Sequence, residues 1–130
     1  MESHGNVEYE KIEISVTKDG EIVSFDHTTE IDHTRILGIC QVFTDMAALP
    51  NSTLELDVDG EAIFPVGFES KLIASGTEVA PDEKWLHYID RETKQVRVKG
   101  RFMDGSALEE FAAYNANIYL MMRTKNYPEN

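Results

Sequence analysis

Apolar and polar residues alternate along much of this chain, with the period of two that is typical of β-strands with one buried face. The alternation is clearest at Ile12, Ile14 and Val16, at residues 54–58 and at residues 96–102. Turn-forming residues separate these stretches at fairly regular spacing, and about eight or nine short strands are predicted. The chain is therefore expected to fold mainly as β-sheet.

Asp-Gly pairs stand at 19–20, 59–60 and 104–105, each between stretches of alternating apolar residues. A two-residue type I′ hairpin loop needs positive φ at both central positions, which Asp and Gly reach at little cost. We therefore expect the chain to fold back on itself as antiparallel strands at these pairs.

Two short helices and two interruptions complete the predicted elements. A single helical turn is expected at 45–49, before Pro50, and the spacing of Ser106 and Glu109 predicts a capping box and a helix through residue 114. The strand that follows the 59–60 turn is interrupted by Pro65 and Gly67, and it is expected to continue in a different direction over 68–74. A turn at 90–93 should separate strands at 85–89 and 96–102. The whole pattern predicts an all-β antiparallel sandwich, of the jelly-roll or a related Greek-key type.

The length of 130 residues fits one domain, residues 1–130, that needs neither a metal nor a disulfide to hold its core. Residues 1–7 are expected to form a flexible acidic tail. The single Cys40 lies in an apolar run and is expected to behave as a small buried hydrophobe. Because the first residues lack the features of a secretory signal, we expect a cytoplasmic or virion protein that is not secreted by a signal peptide.

Charge is unevenly distributed along a chain whose net charge is −12. That sign disfavours nucleic acid and anionic membranes as partners. Residues 84–101 hold six of the twelve basic residues, whereas the first 32 residues hold nine acids and two lysines. Arg97, Lys99 and Arg101 alternate and so share one face of a strand. This basic stripe is either a solvated face with weak salt bridges or a surface that orients the acidic part of a neighbouring protein.

The residues that could bind metal do not form a convincing site. The densest group falls within eight residues and comprises Asp26, His27, Glu30, Asp32 and His33. Without a third histidine or a pair of cysteines, a solvated acidic connection explains it better. Residues 57–61 resemble the start of a calcium loop but lack its later ligands, and a hairpin accounts for them. No metal or cofactor is expected.

The sequence favours a non-catalytic protein but leaves two other functional classes open. Nucleophile elbows, phosphate loops and dinucleotide fingerprints are missing from the sequence, although a small β-barrel enzyme with residues from distant strands would leave no local motif. A carbohydrate- or small-ligand-binding sandwich would use exposed aromatics such as Trp85, Tyr88 or Tyr119. The odd spacing of Trp85 and Tyr88 puts them on opposite faces of a regular strand, which argues against a shared platform.

Residues 36–40 and 118–122 are apolar at every position, whereas a strand in a two-layer sandwich is normally polar on its outer face. Either the short helices at 45–49 and 106–114 cover this second face, or another subunit does. The candidate interface residues, drawn from the basic stripe and from the last strand, are Arg97, Lys99, Arg101, Ile118, Leu120 and Met122.

In the rhythm of its strands, the stretch 54–68 together with 117–120 resembles small jelly-roll structural modules of phage particles. The resemblance spans residues 54–120. It implies a virion component that contacts other capsid proteins, and it implies no functional residues because such modules share no active-site motif. We therefore expect a structural or assembly module with protein partners, as a homo-oligomer or in a larger assembly.

Overall fold

The structure is a computed structural model, and it describes residues 7–48, 50–76, 87–93, 95–105 and 110–124. Nearly all of its regular structure is β-strand. The strands, in chain order, are β1 (Val7–Ile12), β2 (Ser15–Val16), β3 (Ile22–Thr28), β4 (His33–Phe43), β5 (Thr53–Val58), β6 (Glu61–Phe64), β7 (Ala74–Gly76), β8 (His87–Glu92), β9 (Arg97–Met103) and β10 (Tyr114–Thr124). Short 3-10 helices lie at Met46–Ala48 and Ser70–Leu72.

These strands form two sheets that pack face to face. The first sheet has the order β1-β10-β4-β7, with β2 also pairing with β10 and β8 with β4. The second sheet has the order β3-β9-β5-β6. All pairings are antiparallel except that of β4 with β7. The predicted all-β sandwich is confirmed.

The core lies between the sheets and is built from alternate residues of each strand. β5 buries Leu54, Leu56 and Val58, as its alternation predicts. Phe43 of the first sheet meets Phe102 of the second edge to face, with ring centroids 5.8 Å apart. Such burial of apolar side chains is the main favourable contribution to folding, and it fixes which face of each strand points inward.

The Asp59-Gly60 pair forms the hairpin that the sequence predicts. Asp59 and Gly60 have φ angles of 53° and 86°, and they connect β5 to β6, which are antiparallel neighbours. Both positive φ angles fit a type I′ turn, the turn whose twist matches that of the flanking strands.

The other two Asp-Gly pairs do not close hairpins, so that part of the prediction is wrong. β2 and β3, on either side of Gly20, lie in different sheets, and so do β9 and β10, on either side of Gly105. The two connections meet, because the Gly20 amide donates to the carboxylate of Asp104 at 2.8 Å. The dipeptide sets a local turn, but burial of the apolar strand faces decides where the chain goes next.

The short helices and the loops also differ in part from expectation. The turn at 45–49 is present as the 3-10 helix Met46–Ala48, but residues 68–74 form a 3-10 helix and the start of β7 instead of one strand. β8 continues through Glu92, across the turn predicted at 90–93. Its main-chain pairing with β4 outweighs the turn propensity of those polar residues.

The helix predicted up to Tyr114 does not reach that residue. Residues 110–113 have no helical structure and Tyr114 begins β10, where it packs against Phe43. Residues 106–109 and Trp85 lie outside the described residues, as do residues 1–6 of the predicted tail, whereas Val7 opens β1. Within the described ranges, no helix is long and apolar enough to cross a membrane.

Candidate functional site

The basic stripe lies where the sequence places it, on the outer face of the second sheet. Arg97, Lys99 and Arg101 are exposed and alternate with buried or half-buried residues along β9. β9 is an inner strand of that sheet, with β3 on one side and β5 on the other. The stripe therefore has acidic neighbours on both sides.

Two of the three stripe residues form ion pairs within the sheet. The Arg97 guanidinium donates two hydrogen bonds to Asp26 of β3, and Arg101 donates to Glu55 of β5 at 2.9 Å. The hydrogen bonds from Arg97 hold the pKa of the Asp26 carboxyl below its usual value. Lys99 stands directly opposite Asp26 on one side and Asp57 on the other. The stripe is thus largely neutralised by its own sheet, and each exposed pair stabilises the fold by about 0–1 kcal/mol.

Three of the predicted interface residues belong to the core, which corrects the sequence analysis. Ile118, Leu120 and Met122 are fully buried between the sheets. Residues 118–122 of β10 are apolar on both faces of the strand, as expected, but it is the even-numbered residues that point into the core. The odd-numbered residues face outward, and Asn115 and Asn117 are among them. These two polar residues could have shown from the sequence which face of the strand points to solvent.

The apolar residues of β10 that face outward are Tyr119 and Met121, and they lie in an apolar patch on the first sheet. Residues directly opposite each other in a sheet share a face. Tyr9 of β1 is opposite Met121, Cys40 of β4 is opposite Tyr119, and Val42 is opposite Asn117. The Tyr9 hydroxyl also lies 3.5 Å from the Met121 sulfur. This patch, hereafter the outer apolar face, comprises Val7, Tyr9, Val42, Tyr119 and Met121, together with Cys40, which is only 4% exposed. Two charged residues share the face, because Lys11 is opposite Tyr119 and Arg123 is opposite Val7.

A second group of polar residues lies at the edge where β1 and β3 run side by side in different sheets. Glu10 of β1 points inward and is buried. Its Oε1 accepts a hydrogen bond from His27 Nε2 of β3 at 2.5 Å, and its Oε2 accepts from the Glu30 amide at 2.9 Å and from His33 Nδ1. The other ring nitrogen of His33 lies 3.0 Å from Glu8 Oε1. Glu8, Glu10, His27, Glu30 and His33 are called the edge cluster below.

The surroundings of Glu10 and His33 favour the charged form of these two residues. Burial by itself raises the pKa of Glu10, but the hydrogen bonds from His27, Glu30 and His33 together hold that pKa below its ordinary value. Burial likewise lowers the pKa of His33, whereas its hydrogen bonds to Glu8 and Glu10 raise it above the ordinary value. An imidazolium held between two carboxylates is a charge-assisted arrangement, which is stronger than a neutral hydrogen bond.

The edge cluster uses part of the group that the sequence analysis considered as metal ligands. His27 and His33 do come together, but on different oxygens of Glu10, and Asp26 faces the opposite side of β3, toward Arg97. Among the described residues, no group of three or more His, Cys, Asp or Glu side chains is placed to hold a metal ion. The sequence analysis missed Glu10. The sequence does hold a signal for Glu10, because it stands two and four positions before Ile12 and Ile14 and so shares their inward face.

A further buried network joins the ends of the two sheets. Asp104 accepts hydrogen bonds from the Tyr114 hydroxyl and from the Gly20 amide. Ser52 donates to the Ala48 carbonyl at 2.8 Å. Burial, together with the hydrogen bond to Asp104, raises the pKa of Tyr114 well above its ordinary value. These contacts are those of a structural network, since they satisfy buried polar groups.

The described surface also has a shallow cleft of about 280 Å³, lined by Ile31, Thr34, Glu92, Thr93 and Gln95. Its volume is below the roughly 300–1,000 Å³ typical of small-molecule sites. The Thr93 hydroxyl is already bonded to the His33 carbonyl at 2.7 Å. The cleft therefore gives the ligand-binding alternative little support.

Comparison of the chain with protein-family models, with curated proteins and with solved structures finds no match. Function is therefore inferred from the geometry of this chain alone.

Proposed function

We propose that this domain is a non-catalytic structural module that assembles with other protein subunits, as a component of a virion. The observation that carries the proposal is the outer apolar face of the first sheet. It lies on the side of β10 and β4 that points away from the core. The sequence resemblance to phage jelly-roll modules supports the same role.

The outer apolar face contrasts with the outer face of the other sheet. The second sheet presents Arg97, Lys99 and Arg101 with their acidic partners, the polar surface expected of a solvated sandwich. The first sheet presents tyrosine, valine and methionine in the equivalent place, and Tyr9 is 54% exposed. Lys11 and Arg123 lie beside these apolar side chains, and an apolar surface patch with a polar rim is typical of a protein interface.

The strand order supports a jelly-roll arrangement, the architecture of the modules that the sequence resembles. β1 and β2 occupy one row beside β10, and β7 and β8 occupy one row beside β4. If two strands that share a row are counted as one, each sheet has four rows. Rows that follow each other along the chain alternate between the sheets, except that β5 and β6 lie in the same sheet. A jelly roll likewise has eight strands in two four-stranded sheets, which are connected as two Greek keys.

Charge affects the proposed assembly mainly through repulsion between copies. The chain carries a net charge of −12, so copies repel one another at long range. The basic stripe is the region of β9 where positive side chains are concentrated, and it lowers this repulsion locally. Because Arg97 and Arg101 already pair with Asp26 and Glu55, the stripe is expected to act on the encounter rate more than on affinity.

Size-exclusion chromatography with light scattering tests the proposal on the full chain. The double variant Tyr9→Lys/Met121→Lys should weaken association and keep the melting temperature within a few degrees, since Tyr9 is exposed and Met121 is half-buried at the surface. Leu72→Lys is the matched control, because Leu72 is also 54% exposed but lies in a 3-10 helix and is not one of the residues of that face. The control should associate like the parent.

Two results would contradict the proposal. One is a parent protein that is monomeric at every concentration and joins no larger particle. The other is association that survives the double variant unchanged. If the monomeric protein were instead retained on a glycan column, the carbohydrate-binding alternative would take first place.

A further inference from the structure

The strand β3 forms one edge of the second sheet. Apart from His27, which points inward to Glu10, it lacks the features that usually protect an edge. It spans seven residues, Ile22–Thr28, and pairs with β9 without a register shift. It contains neither lysine nor proline. Within the described part of the chain, no strand pairs with its other side. A long, regular edge of this kind is a template for pairing with another strand.

The remaining edges are each interrupted. β1 carries Lys11 and is separated from β2 at Glu13 and Ile14, where Ile14 bonds to the Asn117 side chain at 2.9 Å. β6 has four residues, a register shift against β5 and Pro65 directly after it. The edge beside β4 is divided between β7 and β8, and β8 also has a register shift. Short strands, bulges, lysine and proline are the usual protection of exposed edges. β3 is the exception among the described edges.

The hydrogen bonds at the two ends of β3 show which of its main-chain groups face outward. The Asp104 amide donates to the Glu21 carbonyl at 2.9 Å, and the Thr29 amide donates to the Val96 carbonyl at 3.0 Å. In an antiparallel pair the residues bonded to the neighbour alternate with residues whose N–H and C=O point away. Odd-numbered residues therefore bond to β9. The residues that present both main-chain groups to the open edge are Ile22, Ser24, Asp26 and Thr28.

We propose that a second copy of this chain pairs here, β3 to β3 and antiparallel, with the two-fold axis at Phe25. This register uses all four outward-facing residues of both copies. It joins the two second sheets into one continuous sheet of eight strands. The proposal rests on the assembly role proposed above and names the partner for one of its contacts, on a surface distinct from the outer apolar face.

Side chains in this register are compatible. Ser24 stands opposite Asp26 of the second copy, so its hydroxyl can donate to that carboxylate, and Ile22 stands opposite Thr28. No two like charges face each other directly. Asp26 is already neutralised by Arg97 within its own sheet, which reduces repulsion at the junction. Ile22, 52% exposed, lies beside Met103, 46% exposed, and pairing would cover part of both.

The variant Ser24→Pro tests this pairing most sharply. Proline at residue 24 removes an N–H that points to the open edge and leaves the bonds to β9 intact, which is where edge strands tolerate proline. Ser24→Thr keeps the N–H and is the matched control. In sedimentation velocity across a concentration series, Ser24→Pro should weaken dimerisation at least about tenfold, and Ser24→Thr should dimerise like the parent.

Amide hydrogen exchange of the parent gives a second readout that needs no variant. Raising the protein concentration should slow exchange at residues 22, 24, 26 and 28 and leave residues 23, 25 and 27 unchanged. Association without this alternating protection, or with undiminished affinity in a folded Ser24→Pro, would overturn the β3 pairing and leave the assembly role standing. A parent that never associates would overturn both.

Discussion

Glu10 and His27 tie the two sheets together at one edge of the sandwich, since Nε2 of His27 lies 2.5 Å from Oε1 of Glu10. Glu10 belongs to β1 of the first sheet and His27 to β3 of the second. Main-chain ladders run within sheets, so a side-chain bond between β1 and β3 is a contact that their ladders cannot supply. The other oxygen of Glu10 holds His33 at the start of β4. Closure of this edge therefore depends on the ionisation of a few residues.

The first prediction concerns pH. The pKa of Glu10 is lowered in the fold, so its contribution to stability is present above its ordinary value of 4.5 and is lost as pH falls through the lower folded value. The pKa of His33 is raised, so its contribution is present below its ordinary value of 6.5 and is lost as pH rises through the higher folded value. The edge cluster should stabilise most between pH 4.5 and 6.5. Chemical unfolding from pH 3 to 9 measures this.

The variant Glu10→Gln isolates the cluster from the general effect of net charge. Near pH 5.5 it should lower the free energy of unfolding by about 2–4 kcal/mol, because both histidines lose a buried anionic partner. The difference from the parent should shrink toward both ends of the pH range. Glu13→Gln is the control, since Glu13 is an exposed neighbour and should change stability by less than about 0.5 kcal/mol. A constant difference at all pH values would contradict the linkage.

The second prediction concerns the hairpin at Gly60. Gly60→Val should lower the free energy of unfolding by about 1–3 kcal/mol, because a β-branched residue is strained at its φ of 86°. Crowding does not contribute, since nothing lies within 4 Å of the position a Cβ would take. Gly60→Asn should cost less, because asparagine tolerates positive φ. Equal melting temperatures for the valine and asparagine variants would show that backbone strain is not the cause.

The third prediction concerns Tyr114. Tyr114→Phe removes the hydroxyl that donates to buried Asp104 and should cost about 1–3 kcal/mol. Because its pKa is raised in the fold, the Tyr114 phenol should also stay protonated on an alkaline titration until the protein unfolds. Tyr9→Phe, at an exposed tyrosine, should leave stability nearly unchanged. Early appearance of all the phenolate absorbance in the folded protein would contradict burial of Tyr114.

The fourth prediction concerns the basic stripe. Replacing Arg97, Lys99 and Arg101 together by Gln removes three positive charges from a chain of net charge −12 and leaves Asp26 and Glu55 unneutralised. Association should weaken through repulsion, while the melting temperature should change little because the pairs are exposed. Substituting lysine for both arginines keeps the charge and is the control. Equal association of the glutamine and lysine variants would show that charge has no part in assembly.

The sequence predicts the fold more fully than the sites. Strand alternation identified β5 and β9 closely, because an inward apolar residue at every second position leaves one way to face the core. It failed at the turns 19–20 and 104–105, because a dipeptide determines local φ and not the sheet that the next strand joins. Tertiary packing makes that choice.

Two site residues show why the functional surface was harder to predict. Residues 118–122 are apolar at every position, so their alternation could not show that Leu120 points inward and Met121 outward. Glu10 lies seventeen residues from its partner His27, and no local spacing brings them together. Both relationships depend on which strands become neighbours, and that is decided by the whole fold.

Sedimentation equilibrium of the full chain at low and high salt tests the assembly role most directly. The account predicts a concentration-dependent oligomer at both salt levels, because the outer apolar face supplies most of the affinity. A monomer at every concentration and salt level, in a protein that also joins no larger particle, would contradict the account.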